Sequence, residues 1–397
     1  MNFKNLDRRL VTILLIVFVN IVGAAMILPI LPLFAQREFK LSPQFITLLN
    51  TSFFAAQFVA GPYLGRLSDR YGRVPVLIVS QIGTVISFAM IALAHTVPLL
   101  FAARILDGIT GGNIIVAQAY VTDITAPEKR TQSLGYVFAA AGVGFVFGPA
   151  LGGFLAAALG ARVPYLMAAV VATGTVLLTW FVLDESLSPQ ERMKNRRDKR
   201  LSFDFTPIFQ NRALLLVLTI AFVGQFVFGL VQSTFALYGA EVLFRGYSQR
   251  SANVGIGLLI TLGGIGQVFS QTVLLRLALK RFAETGLVIA GLAARGLGLL
   301  LYALITALLP GAIGVILFAI GGGLMMPPLQ GLATQVVSEQ TRGGVLGLFQ
   351  SVVGLAIILS TAVAGVIYAA NPQLLPLTGA IVTLLALLPA LVLNRKE

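Results

Sequence analysis

Arg104 and Asp107 are the residues of this sequence whose types and spacing best suit proton chemistry. They stand three positions apart in an apolar segment, and a helix places side chains with that separation on one face. A carboxylate beside a guanidinium can bind and release a proton, and the guanidinium sets how readily it does so. We therefore expect Asp107 to carry a proton under the control of Arg104. The alternative is a static ion pair whose two charges only neutralise each other.

The segments around this pair are apolar enough to cross a membrane. Of the 397 residues, 57% are hydrophobic and 11% are charged, whereas a soluble protein has about a quarter of its residues charged. A charge at mid-membrane costs about 2.5–3.5 kcal/mol, so the pair should face protein or water. The sequence predicts an all-α membrane protein with twelve transmembrane helices, at about 10–35, 44–65, 74–94, 97–120, 132–158, 163–183, 212–240, 252–275, 285–306, 311–333, 343–368 and 374–393.

One long polar segment falls at the midpoint and divides the chain. Residues 1–184 are predicted to form an N-terminal six-helix bundle, 185–211 a cytoplasmic linker, and 212–397 a C-terminal six-helix bundle. A shift of 212 residues places Arg130 on Arg342, which indicates that the bundles are pseudo-symmetric repeats. Lys and Arg concentrate in the loops on one side of the spans, so both termini are predicted to be cytoplasmic. The basic linker is expected to lie on anionic membrane lipids.

Composition also excludes several kinds of site. The chain has no cysteine and one histidine, which argues against disulfides, thiolate sites and a histidine metal cluster. No nucleotide-binding loop, zinc signature or hydrolase elbow is present. The net charge of +13 comes largely from Lys and Arg in the predicted cytoplasmic loops, so nucleic acid is not an expected partner. We expect no enzyme activity, no cofactor, and no catalytic or metal-binding residue.

The loop between the second and third spans is unusually polar and is predicted to be a cytoplasmic gate. Its glycines permit a sharp turn, and its acid can meet a helix N-terminus or an arginine. The predicted gate consists of Gly65, Asp69, Arg70, Gly72, Arg73 and Arg130. Asp69 with the three arginines is expected to form a latch against the start of the eleventh span.

Three stretches resemble the major facilitator superfamily. The loop above, Gly65-x-Leu67-x-Asp69-Arg70-x-Gly72-Arg73, resembles the signature loop of that family, and ARILDGITGG at 103–112 is similar to the fourth span of tetracycline efflux proteins. The fifth span resembles the helix motif of drug/proton antiporters at Gly144, Gly148, Pro149, Gly152 and Gly153. Small residues there permit close helix packing, and the resemblance implies that this packing seals the inner cavity in one state.

The resemblance implies a function as well as a fold. It implies two bundles that alternate between inward and outward openings, and a monomeric exporter in a bacterial inner membrane. Its substrate would be a lipophilic small molecule, exchanged for protons, and the family associates the arginine of the fourth-span motif with proton transfer. An exporter or flippase of a sugar, lipid or metabolite is the first alternative, and a non-transporting membrane receptor is the second.

Uncharged amides and aromatic side chains in several spans are predicted to line a substrate cavity suited to lipophilic or amphipathic compounds. These residues are Asn20, Gln57, Asn113, Phe138, Gln225, Gln232, Phe235, Tyr238, Gln330 and Gln350. Asn20 is also a departure from the family, because tetracycline exporters carry an acid in the first span. No acid lies inside the last six predicted spans, which leaves Asp107, with Asp69 and Asp123 near the cytoplasmic surface, as candidate proton carriers. Uniport or another coupling is the alternative to proton antiport.

Arg295 lies near the middle of the ninth span without an acidic partner inside the second half. In the family every third helix is peripheral, so an arginine is unexpected there. It could extend toward the interface, bond backbone carbonyls or meet a lipid headgroup. The sequence leaves these alternatives open.

Overall fold

The computed structural model describes residues 7–111, 113–126, 129–188, 190, 211–304, 307–337 and 342–394. These residues are almost entirely helical and contain no β-strand. Twelve helical segments within them are long and apolar enough to cross a membrane, from Arg8–Phe39 to Leu374–Asn394. The predicted all-α fold with twelve spans is therefore confirmed. The predicted linker at 185–211 lies mostly outside the described residues.

The first six spans are formed by eight helices. Two of the spans are broken: the first by a turn after Ile27, and the fourth after Thr110. The helices are α1 (Arg8–Ile27), α2 (Leu31–Phe39), α3 (Pro43–Tyr71), α4 (Arg73–Ala92), α5 (Val97–Thr110), α6 (Asn113–Ile124), α7 (Arg130–Leu159) and α8 (Val163–Val182).

The last six spans contain eight further α-helices and two π-helical turns, Gly239–Leu243 and Ser270–Leu274. Each π-turn continues the α-helix that precedes it. The helices are α9 (Arg212–Tyr238), α10 (Gln249–Phe269), α11 (Leu275–Ala278), α12 (Glu284–Leu304), α13 (Leu308–Gln335), α14 (Arg342–Ala370), α15 (Leu374–Leu385) and α16 (Leu387–Asn394).

The chain divides into two compact units. The first comprises Met1–Phe34 and Ser52–Arg200, and the second comprises Ala35–Thr51 and Leu201–Glu397. Segment 35–51 belongs to the second unit through contacts such as that between the Thr51 and Thr361 hydroxyls, 3.0 Å apart. The bundle boundaries inferred from the sequence remain a prediction.

In the first unit, α1 packs along α7, and α4 packs against α8 and α5. Its core includes Ile13, Ile16 and Tyr120, each at most 1% exposed. This packing holds α5, which carries Arg104 and Asp107, inside the unit.

In the second unit, α12 packs closely along α13 because glycines face each other across the interface. A Cβ added at Gly291 would lie 2.6 Å from the Gly321 carbonyl oxygen, and one at Gly298 equally close to the Gly314 carbonyl oxygen. Such small residues let two backbones approach each other. The close approach places Arg295, which lies between these glycines on α12, directly against α13.

Candidate functional site

Arg104 and Asp107 form a buried ion pair within α5. The Arg104 Nη1 atom lies 2.8 Å from the Asp107 Oδ2 atom, and each residue is 7% exposed. The structure therefore brings together the two residues that the sequence singled out. A pair this deeply buried is sensitive to the charge state of either partner, because removal of one charge leaves the other uncompensated.

The surroundings of Arg104 leave part of its hydrogen-bonding capacity unused. Its guanidinium lies over the Phe53 ring, 4.2 Å from the ring centroid. Its Nε atom is buried without a hydrogen-bond partner. The Tyr165 hydroxyl is buried without such a partner as well. Arg104 thus keeps a donor, Nε, that can take a new partner when Asp107 gains or loses a proton.

The glycines after Asp107 fix α5 against α3. A Cβ on Gly108 would collide with the Phe53 carbonyl oxygen, so the two backbones are in direct contact there. The Gln57 Nε2 atom of α3 donates to the Gly111 carbonyl oxygen over 3.2 Å, at the end of α5. This close packing holds Phe53 over the Arg104 guanidinium.

Arg73 is the centre of the predicted cytoplasmic gate. Its Nη1 atom lies 2.6 Å from the Asp69 Oδ1 atom, and its Nε atom lies 2.8 Å from the Asp123 Oδ2 atom. Nη1 also donates to the Ser68 Oγ atom over 2.6 Å. Arg73 is 7% exposed, and Ser68 is fully buried. One guanidinium therefore joins the end of α3 to the end of α6.

The first turn of α4 is held by a carboxylate from beyond α8. The backbone N–H groups of Arg73 and Val74 donate to the two Glu185 carboxylate oxygens over 2.9 Å and 3.2 Å. Gly72, at φ 108°, makes the turn that exposes these N–H groups. A negative charge at a helix N-terminus is stabilising. Glu185 was not identified from the sequence, although it lies just beyond the predicted sixth span and its carboxylate was available to cap a helix.

The other two gate arginines each contact a residue close to them in the sequence. The Arg70 guanidinium lies over the Tyr71 ring at 5.3 Å, and Arg130 is exposed, with its Nε atom donating to the Thr125 carbonyl oxygen over 3.3 Å. Gly65 has open space around it. The residues just before Arg342, at the start of the eleventh span, lie outside the described residues, so the latch stays a prediction.

The glycine motif of the fifth span faces α1. A Cβ on Gly144 would lie 2.9 Å from the Phe18 carbonyl oxygen, one on Gly148 would lie 2.8 Å from that of Val22, and one on Gly152 would collide with that of Met26. Gly153 is buried on the same helix, which continues through Pro149. The motif therefore packs two helices of the first unit together, as expected for small residues; its sealing role stays a prediction.

The ten predicted cavity residues differ in exposure. Five are partly exposed and three are exposed, so eight of the ten keep surface that the protein does not cover, and their place in a cavity stays a prediction. The partly exposed residues are Asn20, Gln57, Asn113, Gln225 and Gln232, and the exposed ones are Phe138, Gln330 and Gln350.

Phe235 and Tyr238 are different, because both are buried, at 8% and 1% exposure. The Tyr238 hydroxyl donates to the Tyr302 carbonyl oxygen over 2.7 Å, and the Phe235 ring is stacked on the Tyr302 ring at 5.9 Å. Whereas the sequence interpretation placed them in the substrate cavity, in this structure they form part of the core between α9 and α12.

Arg295 reaches from α12 toward both neighbouring helices of the second unit. It is 3% exposed; its Nη1 atom donates to the Gly224 carbonyl oxygen of α9 over 3.0 Å, and its guanidinium lies 4.3 Å from the Phe318 ring centroid of α13. Its Nε atom is buried without a hydrogen-bond partner. Of the alternatives left open by the sequence, carbonyl bonding is the one present.

Glu241, in the π-helical turn that continues α9, forms hydrogen bonds rather than one of the ion pairs above. Its two carboxylate oxygens accept from the Gln36 Nε2 atom over 2.6 Å and from the Tyr368 hydroxyl over 2.8 Å. The ion pairs Arg9–Asp184, Arg73–Asp69, Arg73–Asp123 and Arg104–Asp107 lie in the first unit. Within the described part of the chain, no group of three or more histidine, cysteine or acidic residues could hold a metal ion.

Comparisons with known proteins identify the family. The model of the Major Facilitator Superfamily matches residues 13–281 and 245–397. The chain is 33% identical over 374 residues to the class C tetracycline resistance protein of Escherichia coli, covering 92% of this chain and 91% of the relative. It is 28% identical over 363 residues to multidrug resistance protein 2 of Bacillus subtilis (strain 168), covering 89% and 87%.

Solved structures confirm the fold. The nucleoside transporter NupG aligns over the whole of both chains with a TM-score of 0.79 at 14% identity. Human MFSD10 (TETRAN), an organic anion transporter, aligns with a TM-score of 0.66 at 20% identity over 96% of this chain and 99% of its own. Identities this low are informative about the fold alone. With twelve membrane-spanning helices and a family match over nearly all its length, this chain belongs to the Major Facilitator Superfamily and is an integral membrane transporter of small molecules rather than an enzyme.

Proposed function

We propose that the protein exports lipophilic, drug-like molecules by proton antiport with alternating access. The observation that carries the proposal is a buried Arg104–Asp107 pair in a chain whose relatives include tetracycline and multidrug resistance proteins. The relatives support drug efflux. The pair supports proton coupling, because Asp107 is the acid in the described spans of the first unit that is both buried and paired with a buried cation.

Asp107 is the proposed proton carrier. Protonation of its carboxylate would remove the negative charge from the pair and release the Arg104 guanidinium, while loss of the proton would restore the ion pair. Because the two states differ by one buried charge, each favours a different arrangement of the polar atoms nearby. Substrate and proton would then compete for the protein, as antiport requires.

The polar but uncharged residues support a substrate of mixed character. Amide side chains such as Gln57, Gln225 and Gln232 are partly exposed among aromatic side chains. Amides donate and accept without the cost of burying a charge. We propose that they orient lipophilic molecules that carry a few polar groups.

The proposed setting is a bacterial inner membrane with both termini cytoplasmic and the protein acting as a monomer. The excess of Lys and Arg in alternate loops supports that orientation. The bacterial efflux relatives support the membrane. Cysteine labelling is practical because the chain has none of its own. A cysteine introduced at Gln190 should react only with a reagent that reaches the cytoplasm.

Transport by everted membrane vesicles tests the proposed function. Vesicles that contain the protein should accumulate tetracycline or a fluorescent dye when energised, and a protonophore should abolish the accumulation. Substrate added to the purified protein should also release protons. Absence of any energised accumulation across a panel of lipophilic compounds would overturn export, and accumulation that survives the protonophore would overturn proton coupling.

Two variants distinguish the loss of a proton carrier at Asp107 from a general loss of folded protein. Asp107→Asn should abolish both energised accumulation and proton release on substrate addition. Asp184→Asn is the matched control, because Asp184 also pairs with an arginine but its side chain is 74% exposed. It should leave both measurements unchanged. Proton release by a folded Asp107→Asn protein equal to that of the parent would assign the proton to another residue.

A further inference from the structure

The fourth span is broken at the point where an amide side chain of α3 contacts it. Helix α5 ends at Thr110, and α6 begins at Asn113. The Gly111 N–H donates to the Gly108 carbonyl oxygen over 3.3 Å, so the last turn of α5 is tightened. The Gln57 Nε2 atom donates to the Gly111 carbonyl oxygen over 3.2 Å. In secondary transporters, discontinuous helices of this kind typically form the solute site.

Asn113 lies at the same level of the first unit as Gln57, because α3 runs along the break. A Cβ on Gly61, one helical turn after Gln57, would lie 3.3 Å from the Ile115 Cδ1 atom of α6. The stretch of α3 from Gln57 to Gly61 therefore contacts the fourth span on both sides of Asn113, at Gly111 and at Ile115. Amide side chains from two different helices are thus brought into one region.

Both amides keep hydrogen-bonding capacity beyond these contacts. An amide side chain has two N–H donors and one acceptor oxygen. The bond from Gln57 to Gly111 uses the Nε2 atom and leaves the Oε1 oxygen as an acceptor. The Asn113 Oδ1 atom is buried without a hydrogen-bond partner. Rotation of the Asn113 amide by half a turn exchanges its oxygen and nitrogen, so this side chain can present either a donor or an acceptor.

The depth of the two amides indicates that they face water or a solute rather than lipid. Gln57 and Asn113 are both partly exposed. Gln57 is the middle residue of α3, about 21 Å from either end, and Asn113 lies near the middle of the span Val97–Ile124. An amide without a hydrogen bond in an apolar environment costs about 2–7 kcal/mol. Polar side chains at this depth therefore face the protein interior or a water-filled cavity.

An aromatic side chain lies one helical turn from Gln57 on the same face of α3. Phe53 is partly exposed, and its ring is edge-to-face with the Phe54 ring, with 5.1 Å between the centroids. The Arg104 guanidinium lies over the Phe53 ring at 4.2 Å, which holds the ring in place. An aromatic solute can therefore pack against Phe53 while a polar group on it reaches Gln57.

We propose that Gln57 and Asn113 bind an uncharged group of a lipophilic aromatic solute that both donates and accepts a hydrogen bond, as a carboxamide does. The two amides carry no charge, so they favour such a group over an ion, whose burial they could not neutralise. That the solute is also transported rests on the proposed function; the binding itself does not. Gly111 follows Asp107 by one helical turn, which places the bound group next to the proposed proton carrier.

A matched pair of probes tests the site on the purified full-length protein. 2-Naphthamide carries a carboxamide, and methyl 2-naphthoate has the same rings and a carbonyl group but no N–H donor. The parent protein should bind 2-naphthamide about tenfold more tightly than the ester, a factor that corresponds to about 1.4 kcal/mol. Gln57→Met and Asn113→Leu replace each amide by an apolar side chain of similar size. Each should remove most of this preference.

Gln132→Met is the matched control. Gln132 belongs to α7 of the same unit, is exposed, and donates to the Tyr136 hydroxyl over 2.8 Å. Its replacement should keep the full preference for 2-naphthamide. The two test variants lie on different helices, so either of them tests the site if the other does not fold.

The other outcomes are decisive as well. A parent protein that binds both probes equally, or folded Gln57→Met and Asn113→Leu proteins that keep the preference, would overturn the site and leave Gln57 as a clamp across the helix break. Loss of the preference in Gln57→Met alone would overturn the role of Asn113. If vesicles showed no export while the purified protein kept its amide-dependent preference, the proposed function would fail and the binding site would stand.

Discussion

The two units each bury an arginine over a phenylalanine ring, but they neutralise it differently. In the first unit Arg104 lies 4.2 Å from the Phe53 centroid and is paired with Asp107 one helical turn away. In the second unit Arg295 lies 4.3 Å from the Phe318 centroid and has a backbone carbonyl where an acid would be expected. Protonation of Asp107 would remove the counter-charge of Arg104, whereas Arg295 has no acidic partner among the described ion pairs. The two units therefore hold a buried cation in two ways, with an acidic partner in the first and with a backbone carbonyl in the second.

Asp107→Asn should have the largest effect, because it removes one partner of the buried pair. Arg104 would stay charged, and the loss of its counter-charge should lower the free energy of unfolding by about 3–5 kcal/mol. Energised transport should fall to background. Chemical denaturation of the purified protein in detergent measures the first effect, and vesicle uptake measures the second.

A double variant shows whether charge or shape is responsible. Arg104→Met combined with Asp107→Asn removes both charges, and apolar replacement of a buried pair is often neutral for stability. Most of the lost unfolding free energy should return, but transport should not. If the double variant were as unstable as Asp107→Asn alone, the loss of stability would come from the changed shape of the side chains rather than from the uncompensated charge of Arg104.

Gly148→Ala should have the next largest effect on the free energy of unfolding. Together with Gly322→Ala, it allows a glycine of the first unit to be compared with one of the second. An added methyl group at Gly148 would lie 2.8 Å from the Val22 carbonyl oxygen of α1, so α7 must shift. Overpacking of this kind costs about 1–3 kcal/mol. Gly322→Ala in the second unit, with its nearest contact at 3.7 Å, should be neutral in the same denaturation experiment. Equal stability of the two variants would contradict the distinction between a glycine at a backbone contact and a glycine with room for a methyl group.

Arg295→Met should change the unfolding free energy by less than about 1 kcal/mol, because one hydrogen bond and one cation–π contact are lost together with an unneutralised charge. The decisive measurement compares the change in unfolding free energy of Arg295→Met with that of Asp107→Asn. If Arg295→Met destabilised the protein as much as Asp107→Asn, Arg295 would have a hidden counter-charge, and the difference between the units would disappear.

The sequence predicted what depends on local spacing and on composition. Twelve spans follow from apolar length, and the contact of Arg104 with Asp107 follows from their separation on one helix. The contacts of Arg73 with Asp123 and Glu185 could not be predicted in the same way, because Asp123 lies on α6 and Glu185 in the segment after α8, and both meet Arg73 only after packing. The same holds for Arg295: its partners, Gly224 and Phe318, lie on helices whose register the sequence does not give. Burial of Phe235 and Tyr238 likewise depends on which face of α9 meets α12.

Asp69→Asn should have the smallest effect on stability and is the sharpest test of the latch predicted from the sequence. The Asp69 side chain is 47% exposed, and an exposed ion pair contributes about 0–1 kcal/mol. Arg73 would keep Asp123 and Ser68 as partners. Asp123→Asn is the matched variant: its side chain is 20% exposed and accepts from both Arg73 and Ser186, so its cost should reach about 1.5–3 kcal/mol.

If Asp69→Asn lost transport while keeping its stability, Asp69 would act in the transport cycle rather than in holding the folded unit together. If Asp69→Asn kept normal transport and normal accessibility of an introduced cysteine, the latch would be ruled out. The Arg73–Asp123 pair would then have the structural role of joining α4 to α6.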